Sequence, residues 1–211
     1  MTYLYQKYSG NTYWAQPYIA TLQKYADYLV RHSFYPIAQQ SSVDSIGATP
    51  NQTVLAIQPA IRINAFSALN GLVNYTAVAN IYAGIIANLG QDSNHTRFIT
   101  HYGGSDSEFV LTYPFAFDQL LGLNTFNASL LRSQSDFYLT QQQPFGIQFD
   151  SDIRYTVLEW EMGAAATSSK AVRDYFINTV HTVWTSGINN FPAPTQWNVL
   201  GTKLGQGLTP A

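Results

Sequence analysis

Between residues 144 and 166 the chain reads PFGIQFDSDIRYTVLEWEMGAAA, and Asp150, Asp152, Arg154, Glu159 and Glu161 fall within twelve positions. Hydrolysis by general acid–base chemistry needs two carboxylates in unlike environments, one held protonated and one ionised. Asp150 and Asp152 stand two apart in a Pro/Gly loop, and Glu159 lies at the start of the helix that follows. Asp44 and Asp118 are the other acids on or beside aromatic-rich stretches. Arg154 suits a bidentate hold on a substrate carboxylate, and equally suits a structural pair with Asp150 or Asp152. A solvated loop entering a helix N-terminus, where acids are favoured by the helix dipole, accounts for the same residues without any chemistry. Asp150-Ser151-Asp152 has too few neighbouring ligands for a calcium loop. The four histidines (His32, His95, His101, His181) show no metal-ligand spacing and read as structural. There is no G-x-S-x-G elbow and no Gly-rich phosphate loop before a helix, so no nucleophile and no cofactor is assigned.

The elements that must position these groups are mostly helical. Residues 11–32 carry Trp14, Tyr18, Leu22, Tyr25 and Leu29 as one stripe, with Thr12 as a cap. A long aperiodic stretch, 35–50, follows and contains Asp44. Residues 53–70 form a second helix, in which Pro59 marks a kink or the true start, and Gly71 stops it. Residues 75–89 form a third, so the short link between them predicts an antiparallel helical hairpin. Residues 97–113 read as a β-hairpin or an extended excursion, with aromatic and β-branched arms (98–102 and 109–113) around a Gly-Gly-Ser-Asp-Ser turn. Short helices follow at 115–121 and, capped by Asn127, at 128–141. Residues 156–167 read as helix. Residues 170–185, capped by Ser168 or Ser169, carry a stripe of Val172, Phe176, Val180, Val183 and Trp184. The tail 189–211 reads as irregular. Antiparallel helical hairpins with long aromatic loops fit an α/α toroid, an α-solenoid or an irregular bundle.

Composition narrows the function. The chain has 211 residues, 46% hydrophobic and 15% aromatic, enough for a large core. Only 10% are charged, against roughly 25% in an average soluble domain, and the net charge is −2. No basic patch is available for nucleic acid, and no apolar run approaches the roughly 18 residues of a membrane helix. Cysteine is absent, which removes disulfides, thiolate nucleophiles and Cys-based zinc sites. Four sequons, at Asn51, Asn74, Asn94 and Asn127, are candidate glycosylation sites, though no signal peptide is visible at the start.

Five strings in order carry a resemblance: YIATLQKYADYLV (18–30), NQTVLAIQPAIRINAFSAL (51–69), FAFDQLLGLNTF (115–126), the 144–166 stretch, and FPAPTQWNVLGT (191–202). Together they resemble fungal glutaminase A-type proteins over residues 3–202. The resemblance implies a mainly α fold, an incomplete (α/α)6 toroid of the six-hairpin glycosidase-like kind, with the short β-hairpin as an excursion. It implies one domain over 1–202 and an irregular tail at 203–211. It also implies that this chain is partial, with further hairpins and an upstream β-rich domain of the same protein as its partner.

The implied activity is secreted hydrolysis of L-glutamine to glutamate and ammonia. No cofactor, metal, nucleic acid or membrane is implied. Asp150, Ser151, Tyr155, Thr156 and Trp160 match the family's pattern, while Val157 stands where the family usually has Lys and Glu159 where it has Asp. The candidate catalytic residues are therefore Asp150, Glu159 and Asp44. Asp118, Arg154, Tyr155 and Trp160 are the candidate substrate contacts. A glycoside hydrolase of the same architecture, and a non-catalytic truncated paralogue, are the rival expectations.

Overall fold

The computed structural model describes residues 1–39, 47–187 and 193–201. Its centre is α3 (Thr53–Asn70), whose Ile57, Ala60 and Ile63 are fully buried. A helix apolar around most of its circumference belongs inside a packed array. Pro59 sits within α3 without ending it. Gly71 adopts a left-handed φ of 73°, a conformation that costs glycine little, and turns the chain into α4 (Val73–Leu89). The two helices pack as the expected hairpin. Thr76 Oγ1 lies 2.8 Å from Ser67 Oγ and 3.1 Å from Asn64 Oδ1, which pairs the polar groups buried between them.

Two helices precede this pair, α1 (Thr2–Ser9) and α2 (Ile19–His32), joined by a short 3₁₀ turn at Gln16–Tyr18. Helix α5 (Phe115–Leu121) and helix α6 (Ala128–Tyr138) follow α4 after a long loop. The chain then forms β1 (Tyr155–Val157), α7 (Leu158–Ala166), α8 (Lys170–Thr185) and β2 (Gln196–Asn198). Strand β2 returns antiparallel onto β1, with Thr156 opposite Trp197. The main core joins Ile57 of α3, Phe98, Phe115, Phe149, Trp160 and Phe176. The chain is thus mainly helical with one small antiparallel sheet.

Several expectations change. The helix expected over 11–32 begins at Ile19, and Asn11, rather than Thr12, accepts the N–H groups of Tyr13 and Trp14. Its core-facing stripe is the buried Ala26 with the half-buried Ile19, Leu22 and Leu29, whereas Tyr18 and Tyr25 point outward. Both phases are amphipathic, and the small Ala26 lets α2 approach its neighbours closely. The β-hairpin over 97–113 does not form. Val110 N–H reaches Phe98 O at 3.2 Å, but the second arm continues onto the loop at 149–151, through Leu111 N–H to Phe149 O (2.7 Å) and Ser151 N–H to Phe109 O (3.0 Å). Residues 156 and 157, expected as the start of a helix, belong to strand β1, because β2 supplies a partner from far along the chain. Trp184, expected in the α8 stripe, is half exposed while Val180 and Val183 are buried. The tail 203–211 lies outside the described residues.

Candidate functional site

The loop 149–154 crosses the molecule between the 109–111 segment and β1. Phe149 N–H donates to Tyr155 O and Leu111 N–H donates to Phe149 O, so the backbone is held on both sides of Asp150. Asp150 is 5% exposed. One of its carboxylate oxygens accepts Asp152 N–H at 2.8 Å. Burial pushes its pKa from 3.8 up to about 6. The Asp152 N–H opposes that shift, and the Asp152 charge adds to it.

Asp150 lines a small cleft of about 90 Å³ together with Asp152, His101, Thr100, Gln52 and Trp160. Gln52 is fixed beneath it by Nε2 bonds to Gln39 O (2.7 Å) and Thr49 O (3.1 Å). Thr53 N–H donates to Thr100 O (3.0 Å), tying the start of α3 to the loop that carries His101. His101 Nδ1 stands 3.0 Å from Thr100 Oγ1 and 3.5 Å from Glu108 Oε2, and the Thr100 hydroxyl also bonds Glu108. The cleft therefore combines a buried acid poised near neutrality with an imidazole and a second carboxylate close behind it. Such a set can take up and release a proton on a bound substrate. Among the described residues no group of three or more His, Cys, Asp or Glu could hold a metal ion.

The structure brings only part of the expected set together. Trp160 is 2% exposed and packs against Tyr113 (ring centroids 4.2 Å apart) and edge-on against Phe149 (5.0 Å). It forms a wall of the cleft rather than an open stacking platform. Arg154 is exposed beside the loop, and Tyr155 is half-buried in β1; neither lines the cleft. Glu159 is exposed on the outer side of α7. Asp118 is buried elsewhere, accepting the N–H groups of Thr125 (3.2 Å) and Phe126 (3.1 Å), where it closes the turn after α5. Asp44 lies outside the described residues. Of the sequon asparagines, Asn74, Asn94 and Asn127 are exposed and Asn51 is half-buried. Asn127 also caps α6, accepting Ser129 N–H at 2.9 Å.

Sequence reasoning took His101 as structural and passed over Glu108; His101 lines the cleft from a different loop, with Glu108 3.5 Å behind it. It also passed over Glu161, fully buried two positions beyond Glu159. Glu161 Oε1 accepts Ile147 N–H at 2.9 Å, and burial pushes its pKa from 4.5 up to about 8. The Thr156 hydroxyl, buried beside it, works against that rise. Gly146 must be glycine here, with a left-handed φ of 119° and a Cβ position only 2.1 Å from Glu161 Oε1. Tyr175 completes this corner, its hydroxyl donating to Gly146 O (2.9 Å).

Residues 1–207 match a family model described as the glutaminase A six helical-hairpin domain. Glutaminase A of Aspergillus oryzae is 33% identical over 196 residues, covering 89% of this chain. The chain spans 28% of the length of that curated relative. No solved structure matches.

Proposed function

The chain belongs to the glutaminase A six helical-hairpin domain family, and on that premise we propose that it is part of an amide hydrolase that releases ammonia from L-glutamine, with Asp150 as the proton-transfer group. One observation carries the assignment of Asp150: it is a nearly buried carboxyl at the wall of a cleft, with its pKa pushed up to about 6. In its ionised form it takes a proton from water as the water oxygen attacks the side-chain carbonyl carbon. It then returns that proton to the nitrogen as the C–N bond breaks, leaving glutamate and ammonia. His101 lines the same cleft, with Glu108 Oε2 3.5 Å from its Nδ1.

The proposed setting is a secreted, glycosylated protein in which α3 with α4 and α7 with α8 are helical pairs of an α/α toroid. The helical pairing and the exposed Asn74, Asn94 and Asn127 support it. Ammonia release from L-glutamine by the full-length gene product tests the reaction. Asp150→Asn is expected to lower kcat at least about 100-fold, the usual worth of general acid–base help. Unchanged release in that variant, or turnover of aryl glycosides with none of glutamine, would overturn the reading.

A further inference from the structure

A second, larger cavity of about 450 Å³ lies between α1, α3 and α5, away from the Asp150 cleft. Its walls are Leu4 of α1, Ile61 and Ala65 of α3, and Phe117 and Leu120 of α5. Phe117 and Leu120 are 52% and 46% exposed, so the apolar face of α5 opens into this space rather than into the core. Its size falls within the range of small-molecule sites, which are mostly apolar with a few convergent polar groups. The polar groups are gathered on one wall. Gln58 Nε2 donates to the Tyr113 hydroxyl, and Arg62 Nη2 donates to Gln58 Oε1 at 2.9 Å. Arg62 forms no ion pair among the described residues, and no acid lines the cavity.

The guanidinium is therefore oriented by Gln58 with donor capacity left over, beside an apolar space with no charge of opposite sign. We propose that this cavity binds a small organic anion, an apolar or aromatic body ending in a carboxylate, with the body against Phe117 and Ala65 and the carboxylate on Arg62. Charge complementarity selects the anionic end, since a planar fork matches a carboxylate through two parallel hydrogen bonds. The site stands independently of any activity at Asp150.

Isothermal titration of the full chain with 3-phenylpropionate, and with 3-phenylpropan-1-ol as the neutral body of the same shape, tests this directly. The acid is expected to bind at least about ten-fold more tightly than the alcohol, the effect of a charge-assisted hydrogen bond. Arg62→Gln, which keeps an amide beside Gln58, should remove the preference. Arg62→Lys should retain part of it. Ala65→Trp, which fills the cavity from α3, should abolish binding of both compounds while the helical circular dichroism is unchanged. Equal affinity for acid and alcohol, no binding of either, or a preference that survives Arg62→Gln would overturn the proposal.

Discussion

Asp150 and Glu161 are two buried acids on one stretch of chain, and they have opposite relations to solvent. Asp150 lies against a cleft that also holds His101 and Asp152. Glu161 is sealed at 0% exposure behind the turn at 143–146, with one oxygen bonded to Ile147 N–H. The more strongly shifted of the two is the inaccessible one, at about 8 against about 6. A perturbed pKa by itself therefore does not mark a reactive group. Burial raises both, and access separates a group that can meet a substrate from one that holds a loop in place.

The largest test of this contrast is the dependence of stability on pH. An acid whose pKa is raised on folding contributes stability that is complete below its unfolded value and is lost as pH rises through the folded value. For Glu161 that window runs from 4.5 to about 8, and the loss is at most about 5 kcal/mol. Asp150 adds a smaller loss of the same sign between 3.8 and about 6. Urea unfolding across this range should show stability falling toward alkaline pH. Glu161→Gln should flatten most of that slope, and Asp150→Asn only its acidic part. A slope unchanged in Glu161→Gln would show that the sealed acid does not titrate with folding.

Next in size is Tyr175→Phe, which removes the hydroxyl bonded to Gln143 and Gly146 at the back of the same turn. It should cost about 1–3 kcal/mol in thermal or urea unfolding, because buried backbone groups lose their partner. It should also lower the proposed ammonia release from glutamine less than Asp150→Asn does. The smallest effect belongs to Glu159→Gln. Glu159 is exposed, with no hydrogen bond or ion pair among the described residues, so stability should stay within about 0.5 kcal/mol and the pH slope should be retained. A large change there would erase the distinction between the two faces of α7.

The two faces also show where sequence reading stops. Glu159 and Glu161 both read as acids in the first turn of a helix, but residues two apart point about 200° from each other, so one must face inward. Periodicity marks the helix, and the loop that packs on it decides which acid is buried. The hairpin of α3 and α4, the stop at Gly71, and the caps at Asn127 and Ser169 were legible because each is a local signal. Helix α1 was not, since none of its residues is buried and no core stripe announces it. Strands β1 and β2 were not, because each has three residues and exists only through the other. The cleft was half legible. Asp150 stood out by charge density, whereas His101 and Glu108 reach it through backbone pairing that brings separate loops together.

The return of β2 onto β1 also sets an order of events. Beyond the ladder itself, Val199 N–H bonds Arg154 O, Phe145 N–H bonds Val199 O, the Trp197 indole N–H bonds Phe145 O at 2.6 Å, and Leu158 N–H bonds Thr195 O. Both ends of the loop that carries Asp150 are thus fastened by residues some forty positions later. Pairings this distant in sequence close late, after local helices and hairpins have formed. On a growing chain the α3–α4 pair can fold while the loop at 149–154 still lacks its clasp. The loop that carries Asp150 acquires its fixed geometry only when residues 195–199 arrive, which makes it one of the last parts of this chain to be assembled.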